Sequence, residues 1–148
     1  DELTRGALLL RASEAVPAGE LEGLVEDVYQ RGDTRERQAV LMALALLPEP
    51  GRFLPLAVES CRTSIQPLFE AIACENPYPA AHFPEPSFNQ MVLKALFVGV
   101  PLARIVGLRG RITGELRRMA ADYASERRAA GRPVPSDIGA LVDAPAAP

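Results

Sequence analysis

The chain has no tryptophan, aromatic residues make up only 5% of it, and histidine and lysine each occur once, as His82 and Lys94. Strands favour β-branched and aromatic side chains, so this scarcity, beside abundant Leu and Ala, predicts helices. With 148 residues and 48% hydrophobic content, the chain is long enough to bury one ordinary core. We therefore predict an all-α fold, either stacked antiparallel helical hairpins of the HEAT or armadillo kind or an irregular helical bundle.

Long apolar runs are also missing. No run approaches the roughly 20 apolar residues that span a bilayer, and no signal-peptide pattern opens the chain. We therefore predict a cytoplasmic protein without a transmembrane segment. The chain begins at Asp1 rather than Met, as expected of a processed or trimmed form.

Cysteine is scarce as well. Cys61 and Cys74 have no CxxC spacing, and with a single histidine they are too few soft ligands for a structural zinc ion. Buried free thiols are the favoured interpretation, and a disulfide or a metal role is the alternative. No metal site and no cofactor are predicted.

Charge is distributed unevenly along the chain. Residues 1–75 carry 7 arginines against 13 acidic residues, whereas residues 104–132 carry 8 arginines against 3 acidic residues. A basic helix is able to contact an anionic ligand, a membrane surface or nucleic acid. Because acidic residues alternate with these arginines and the net charge is −3, internal ion pairs or a solvated face are favoured. No nucleic-acid partner is predicted.

Pro and Gly divide the chain into short helical segments. The stretches "ELTRGALLLRASEA" and "ELEGLVEDVYQRG" have helical periodicity, and in "DTRERQAVLMALALL" either Asp33 or Thr34 is the expected N-cap. Pro55 and Pro67 suit the first turns of two further helices.

The end of the chain is expected to add little to the fold. "GRPVPSDIGALV" predicts one short helix with Ser136 as its N-cap. The closing "DAPAAP" is predicted to be disordered. We therefore expect a single all-helical domain over residues 1–142 and a disordered tail over residues 143–148.

The stretch "ENPYPAAHFPEP" concentrates four prolines within twelve residues. Each proline removes a backbone donor and restricts the residue before it, so residues 76–86 are predicted to form a stiff, extended loop. Such a loop is able to present its side chains together. The candidates are Asn76, Tyr78, His82, Phe83 and Glu85. Alternatively, Tyr78 and Phe83 cover an edge of the core, and His82 serves packing or hydrogen bonding.

The next segment, "PSFNQMVLKALFVGVPL", is predicted to be a buried helix with Ser87 as its N-cap, since "MVLKALFV" is apolar on every side except at Lys94. Gln90 and Lys94 are four residues apart and project from one face, and with Asn89 they are predicted to bind a ligand. Three interpretations of Lys94 remain open. Its ammonium group reaches solvent, pairs with an acidic residue, or acts on a ligand as anion binder, base or Schiff-base nucleophile.

Residues 75–108, "ENPYPAAHFPEPSFNQMVLKALFVGVPLARIVGL", followed by "ELRRMAADYASERRAAGRPVP", resemble the EboA-domain family of bacterial proteins. The resemblance is close over residues 70–138 and looser over the first half, where "LALLPEPGRFLPLAVESCRTS" also agrees with it. It implies a role in secondary metabolism. Members are encoded beside enzymes that resemble a sugar-phosphate cyclase and a UbiA-type prenyltransferase, in cyanobacterial gene sets for making and exporting precursors such as that of scytonemin.

Two functional classes follow. The first is a noncatalytic accessory protein that recognises a pathway enzyme or a small-molecule intermediate in biosynthesis or precursor export. The second is a small cofactor-independent enzyme acting on a phosphorylated or polyhydroxylated intermediate. In it His82 or Glu85 is the acid or base, and Lys94 or an arginine of the basic helix holds the anion. No catalytic triad or metal-ligand pattern is visible, so the first class is favoured.

Overall fold

In a computed structural model of the chain, the backbone is described for residues 2–145 and the side chains for residues 4–145. Nine α-helices and no strand occur in this part of the chain, so the all-α prediction is confirmed. The helices are α1 (Glu2–Ala15), α2 (Ala18–Arg31), α3 (Thr34–Ala43), α4 (Leu54–Ser60), α5 (Gln66–Ala73), α6 (Tyr78–His82), α7 (Glu85–Val98), α8 (Gly114–Ala129) and α9 (Gly139–Val142). The HEAT or armadillo-like stacking of these helices stays a prediction.

The helices group into two compact units, Asp1–Phe83 and Pro84–Pro148. In the first unit α3 is central, because it packs against α1, α2 and α5. In the second unit α7 packs against α8, and α8 packs against α9. A single domain over residues 1–142 stays a prediction, as does the tail over residues 143–148, of which 146–148 lie outside the described residues.

The junction of α2 and α3 is fixed by a capping box. The Asp33 side chain accepts a hydrogen bond from the Glu36 N–H at 2.9 Å, and Glu36 Oε2 accepts one from the Asp33 N–H at 2.9 Å. Asp33 is therefore the N-cap of α3, one of the two residues expected there. The two bonds satisfy main-chain donors that a helix start otherwise leaves open.

The four prolines between residues 76 and 86 do not form the predicted extended loop. They begin two helices instead, since Pro77 precedes α6 with Pro79 in its first turn, and Pro84 precedes α7 with Pro86 in its first turn. The first N–H groups of a helix have no intrahelical acceptor, so proline loses nothing there and its fixed φ suits the turn. The prediction of a loop was wrong because it counted prolines without their positions. Pro55 and Pro67 occupy the same kind of position in α4 and α5, as predicted.

Two predicted N-caps were also wrong. Ser87 lies inside α7, whose N-cap is Pro84, and Ser136 lies upstream of α9, whose N-cap is Ile138.

Helix α7 is buried along one side only, because Phe97 keeps 73% of its surface exposed. An apolar sequence all round the helix therefore did not mean burial all round.

Three of the four arginines of α8, Arg117, Arg118 and Arg127, make intramolecular side-chain contacts. Arg118 forms hydrogen-bonded ion pairs with Glu115 and Asp122. The hydrogen bond that Arg118 donates to Glu115 lowers the pKa of the Glu115 carboxyl below its ordinary value. Arg127 donates to the Pro133 carbonyl oxygen at 2.9 Å. These pairings agree with the favoured interpretation of the basic segment.

No disulfide joins Cys61 and Cys74. Cys74 is buried and Cys61 is half-buried. The disulfide alternative is therefore wrong, and the predicted burial is confirmed for Cys74 only.

Position 32 has no room for a side chain between α2 and α3. A pair of glycine substitutions tests this steric constraint. A Cβ at Gly32 would lie 2.8 Å from the Val28 carbonyl oxygen and 2.9 Å from Glu36 Cβ, whereas a Cβ at Gly23 meets nothing within 4 Å. We expect Gly32→Ala to lower the free energy of unfolding by about 1–3 kcal/mol through overpacking. Gly23→Ala, inside α2, is expected to raise it by about 0.5–1 kcal/mol through helix propensity. Urea unfolding measures both, and equal effects contradict the steric argument.

Candidate functional site

Asn76 connects three segments of the first unit. It is 3% exposed, and its Nδ2 donates to the main-chain oxygens of Leu41 at 3.0 Å and Ala71 at 2.9 Å. Its Oδ1 accepts from the Tyr78 N–H at 2.9 Å. Both amide hydrogens and the amide oxygen therefore bind main-chain groups, which fixes the segment that leads from α5 into α6.

Tyr78 and His82 lie on α6. Tyr78 is fully buried, its hydroxyl donates to the Pro50 carbonyl oxygen at 2.8 Å, and its ring lies 4.5 Å from that of the half-buried His82. A Cβ on Gly51 would be 3.8 Å from His82 Nδ1, so the imidazole lies against the turn that Pro50 begins. The structure thus brings Tyr78 and His82 together as predicted neighbours. Both pack on the main chain of their own unit.

The remaining predicted residues lie on α7 in the second unit. Glu85 and Gln90 are exposed, and Lys94 is half-buried. Asn89 is 2% exposed, and its Oδ1 has no hydrogen-bond partner among the described residues. The proposed convergence of these side chains with His82 on one ligand stays a prediction.

A cleft of about 990 Å³ lies within the second unit. One wall comes from the irregular segment between α7 and α8, and the other from α9 with the residues around it. The lining is mostly aliphatic, and its polar side chains are Arg109, Asp137 and Asp143. None of the residues predicted from the sequence is among those that line it.

Specific contacts hold both walls of this cleft. Asp137 Oδ2 accepts a hydrogen bond from the Leu102 N–H at 2.8 Å, which joins one wall to the other. The Arg111 guanidinium lies 4.4 Å from the centre of the buried Phe88 ring, a cation–π contact that anchors the first wall to α7. The second wall is held at its end by Arg117, whose Nη1 donates to the Ala144 carbonyl oxygen at 3.0 Å. The cleft is therefore a built feature of this unit.

The sequence gives only a weak signal for this cleft. "SDIGALV" predicts a short helix packing on the bundle, and nothing in it predicts that Asp137 reaches Leu102, 35 residues earlier in the chain. The one local indication of an irregular wall is a pair of glycine turns. Gly99 and Gly107 both have a positive φ, 79° and 73° respectively, which glycine adopts readily.

Two further properties bear on the chemistry. Among residues 4–145, no group of three His, Cys, Asp or Glu side chains comes together in a way that is able to hold a metal ion. Within the described helices, none is long and apolar enough to cross a membrane.

The fold and the cleft define an all-α protein with a largely apolar space of small-molecule size. Residues 1–143 match the family described as metabolite traffic protein EboA, and the chain belongs to this family. The resemblance to EboA-domain proteins is thereby confirmed and extends over the first half of the chain. No curated protein and no solved structure matches the chain.

Tyr78 is expected to make stability fall at alkaline pH. Burial raises the pKa of Tyr78 to about 12, above the ordinary value near 10 of an unfolded chain. A raised folded-state pKa means that this stabilisation is complete below about pH 10 and is lost as the pH rises through about 12. We expect Tyr78→Phe to flatten this part of the profile, measured as free energy of unfolding in urea between pH 8 and pH 12. An unchanged slope in Tyr78→Phe contradicts the assignment.

Proposed function

We propose that the protein is a noncatalytic accessory protein that binds a small-molecule metabolite in the cleft of its second unit. The observation that carries the proposal is the cleft itself, at about 990 Å³. Small-molecule sites are typically largely preformed cavities of roughly 300–1,000 Å³ with apolar walls and a few polar groups. The description of the family as metabolite traffic proteins supports a role in handling such a molecule.

The lining favours an apolar ligand. The aliphatic floor of the cleft is formed by four residues of the first wall that are each at most 8% exposed: Leu102, Ile105, Leu108 and Ile112. Ala103 and Ala140 are exposed and leave room above that floor. Contact with such a surface removes apolar area of the ligand from water, which contributes about 25 cal/mol for each Å² buried.

The biological setting of the proposal follows the family resemblance. We place the ligand among intermediates of bacterial secondary metabolism, and the protein in the cytoplasm, where it acts in biosynthesis or precursor export. A pathway enzyme that delivers or receives this intermediate is the partner expected in that setting. Release of a bound metabolite to such an enzyme requires no chemistry by this chain.

Binding in the cleft is tested with Nile red, an uncharged dye that fluoresces in apolar sites. We expect Ala140→Phe to abolish saturable dye binding, because the ring occupies the space above the aliphatic floor. The matched control is Ala129→Phe, which adds the same ring at an exposed residue at the end of α8, outside the cleft lining. Circular dichroism and thermal unfolding show whether both variants keep the fold. Equal dye binding by the two variants contradicts the proposal.

The natural ligand is sought in the native host. Native mass spectrometry of protein freshly purified from that host is expected to show a retained small-molecule mass with Ala129→Phe and to lack it with Ala140→Phe. A second protein chain in place of the small mass favours partner recognition instead.

The enzymatic alternative rests on different residues. If folded His82→Ala or Lys94→Ala variants stop product formation by the pathway while Nile red binding is unchanged, catalysis by these residues replaces the binding proposal. Unchanged product formation ends the catalytic hypothesis.

A further inference from the structure

The polar groups of the cleft have an uneven balance of charge. Asp137 and Asp143 contribute two carboxylates, and Arg109 contributes one guanidinium group. Among the described residues, none of the three belongs to an ion pair. The side chains of the lining therefore carry an excess of one negative charge, and neither carboxylate forms an ion pair within the described residues.

Asp143 is held close to the wall of the cleft. Its main-chain N–H donates to the Gly139 carbonyl oxygen at 3.0 Å, and its Oδ2 lies 3.2 Å from the place that a Cβ on Gly139 would take. Glycine at position 139 thus leaves room for this carboxylate beside α9. Asp143 is exposed and belongs to the lining of the cleft, so its short side chain places the charge beside the aliphatic residues.

Asp137 is committed in part to the fold. Its Oδ2 accepts the Leu102 N–H, and this bond joins the two walls. A carboxylate accepts several hydrogen bonds, so Asp137 retains acceptor capacity after this contact. Asp143 forms no side-chain hydrogen bond within the described part of the chain, and it is the better placed of the two to receive a ligand group.

Arg109 differs from both aspartates. Arg109 lies on the turn Leu108–Arg111 and is exposed, as Asp143 is, whereas Asp137 is half-buried. What distinguishes Arg109 is its length, because a long guanidinium side chain is able to keep its charge in water while its stem covers apolar surface. Its charge therefore gains little from turning towards the cleft. The short aspartate side chains have no such freedom.

From this arrangement we propose that the cleft selects an apolar small molecule whose polar end is a hydrogen-bond donor, an ammonium or hydroxyl group that binds Asp143, and that it discriminates against phosphate and carboxylate ends. The inference rests on the proposed binding function and specifies its ligand class. A donor group forms a charge-assisted hydrogen bond with the carboxylate, which is stronger than a neutral one. An anionic end meets two like charges beside an apolar surface and also loses hydration.

The test uses three ligands that share one apolar chain: octylamine, octan-1-ol and octanoate. Each displaces Nile red from the wild-type protein at neutral pH, below its aggregation concentration. We expect octylammonium to bind most tightly, octan-1-ol next and octanoate most weakly, with at least about a tenfold difference in Kd between the two charged ligands. Octanoate binding as tightly as octylammonium overturns the inference.

Variants locate the discriminating group. Asp143→Asn is expected to weaken octylammonium about tenfold and to leave octan-1-ol nearly unchanged, because the amide keeps an acceptor oxygen. The matched control is Asp122→Asn on α8, which removes the same charge outside the cleft lining and is expected to change neither ligand. If Asp122→Asn weakens octylammonium as much as Asp143→Asn does, net charge rather than the site explains the preference, and the inference fails.

Arg109→Gln tests the opposite assignment. We expect it to leave octylammonium binding unchanged or slightly tighter. If octanoate is the preferred ligand and Arg109→Gln abolishes its binding, the cleft is an anion site. An anion-binding cleft is distinguishable from failure of the proposed function. In the latter case Ala140→Phe leaves Nile red binding intact.

Discussion

Proline, which has no main-chain N–H and a fixed φ, sets where many helices of this chain begin. Helices α4, α5, α6 and α7 each have a proline in the first turn, where the missing donor has no intrahelical acceptor to lose. The helices are consequently short, and the longest within the described residues, α8, has 16. Short helices bury little apolar area each, so the segments between them need contacts of their own.

Side chains supply those contacts by binding main-chain groups. In the first unit the Asn76 amide binds the main chain at three points and orders the entry into α6. In the second unit Asp137 and Arg117 bind main-chain groups of Leu102 and Ala144. In both units these side chains provide hydrogen-bond partners for main-chain groups outside the helices. Such partners stabilise the fold, because a buried main-chain donor or acceptor without one costs about 1–3 kcal/mol. In the second unit the result is a pair of fixed walls with an aliphatic space between them.

Local sequence rules predicted much of the fold. Some of these rules act within one helical turn, as the capping box of Asp33 with Glu36 and the prolines at 55 and 67 do. Their effect is therefore predictable from neighbouring residues in the sequence. The same rules failed at Pro77 and Pro84, where two helices start within eight residues. A proline is compatible with a helix start and with an extended loop, and the difference is decided by what the following turn packs against.

The candidate site was far less predictable. Scarce residues drew attention to His82 and Lys94, yet rarity in composition is not a physical interaction. Tyr78 and Asn76, chosen as ligand contacts, bind the main chain of their own unit. The cleft depends instead on common residues far apart in the chain, such as Leu102 and Asp137, whose contact has no sequence period.

By itself, the sequence determined the helical class, the family and the starts of α3, α4 and α5, because propensity, capping and proline geometry act over three or four residues. Only the tertiary structure decided which polar side chains are consumed by the fold and which line a cavity. Aspartate is an ordinary surface residue in the sequence. It becomes a candidate ligand contact at Asp143 because glycine at 139 and the aliphatic wall formed by a distant segment lie beside it.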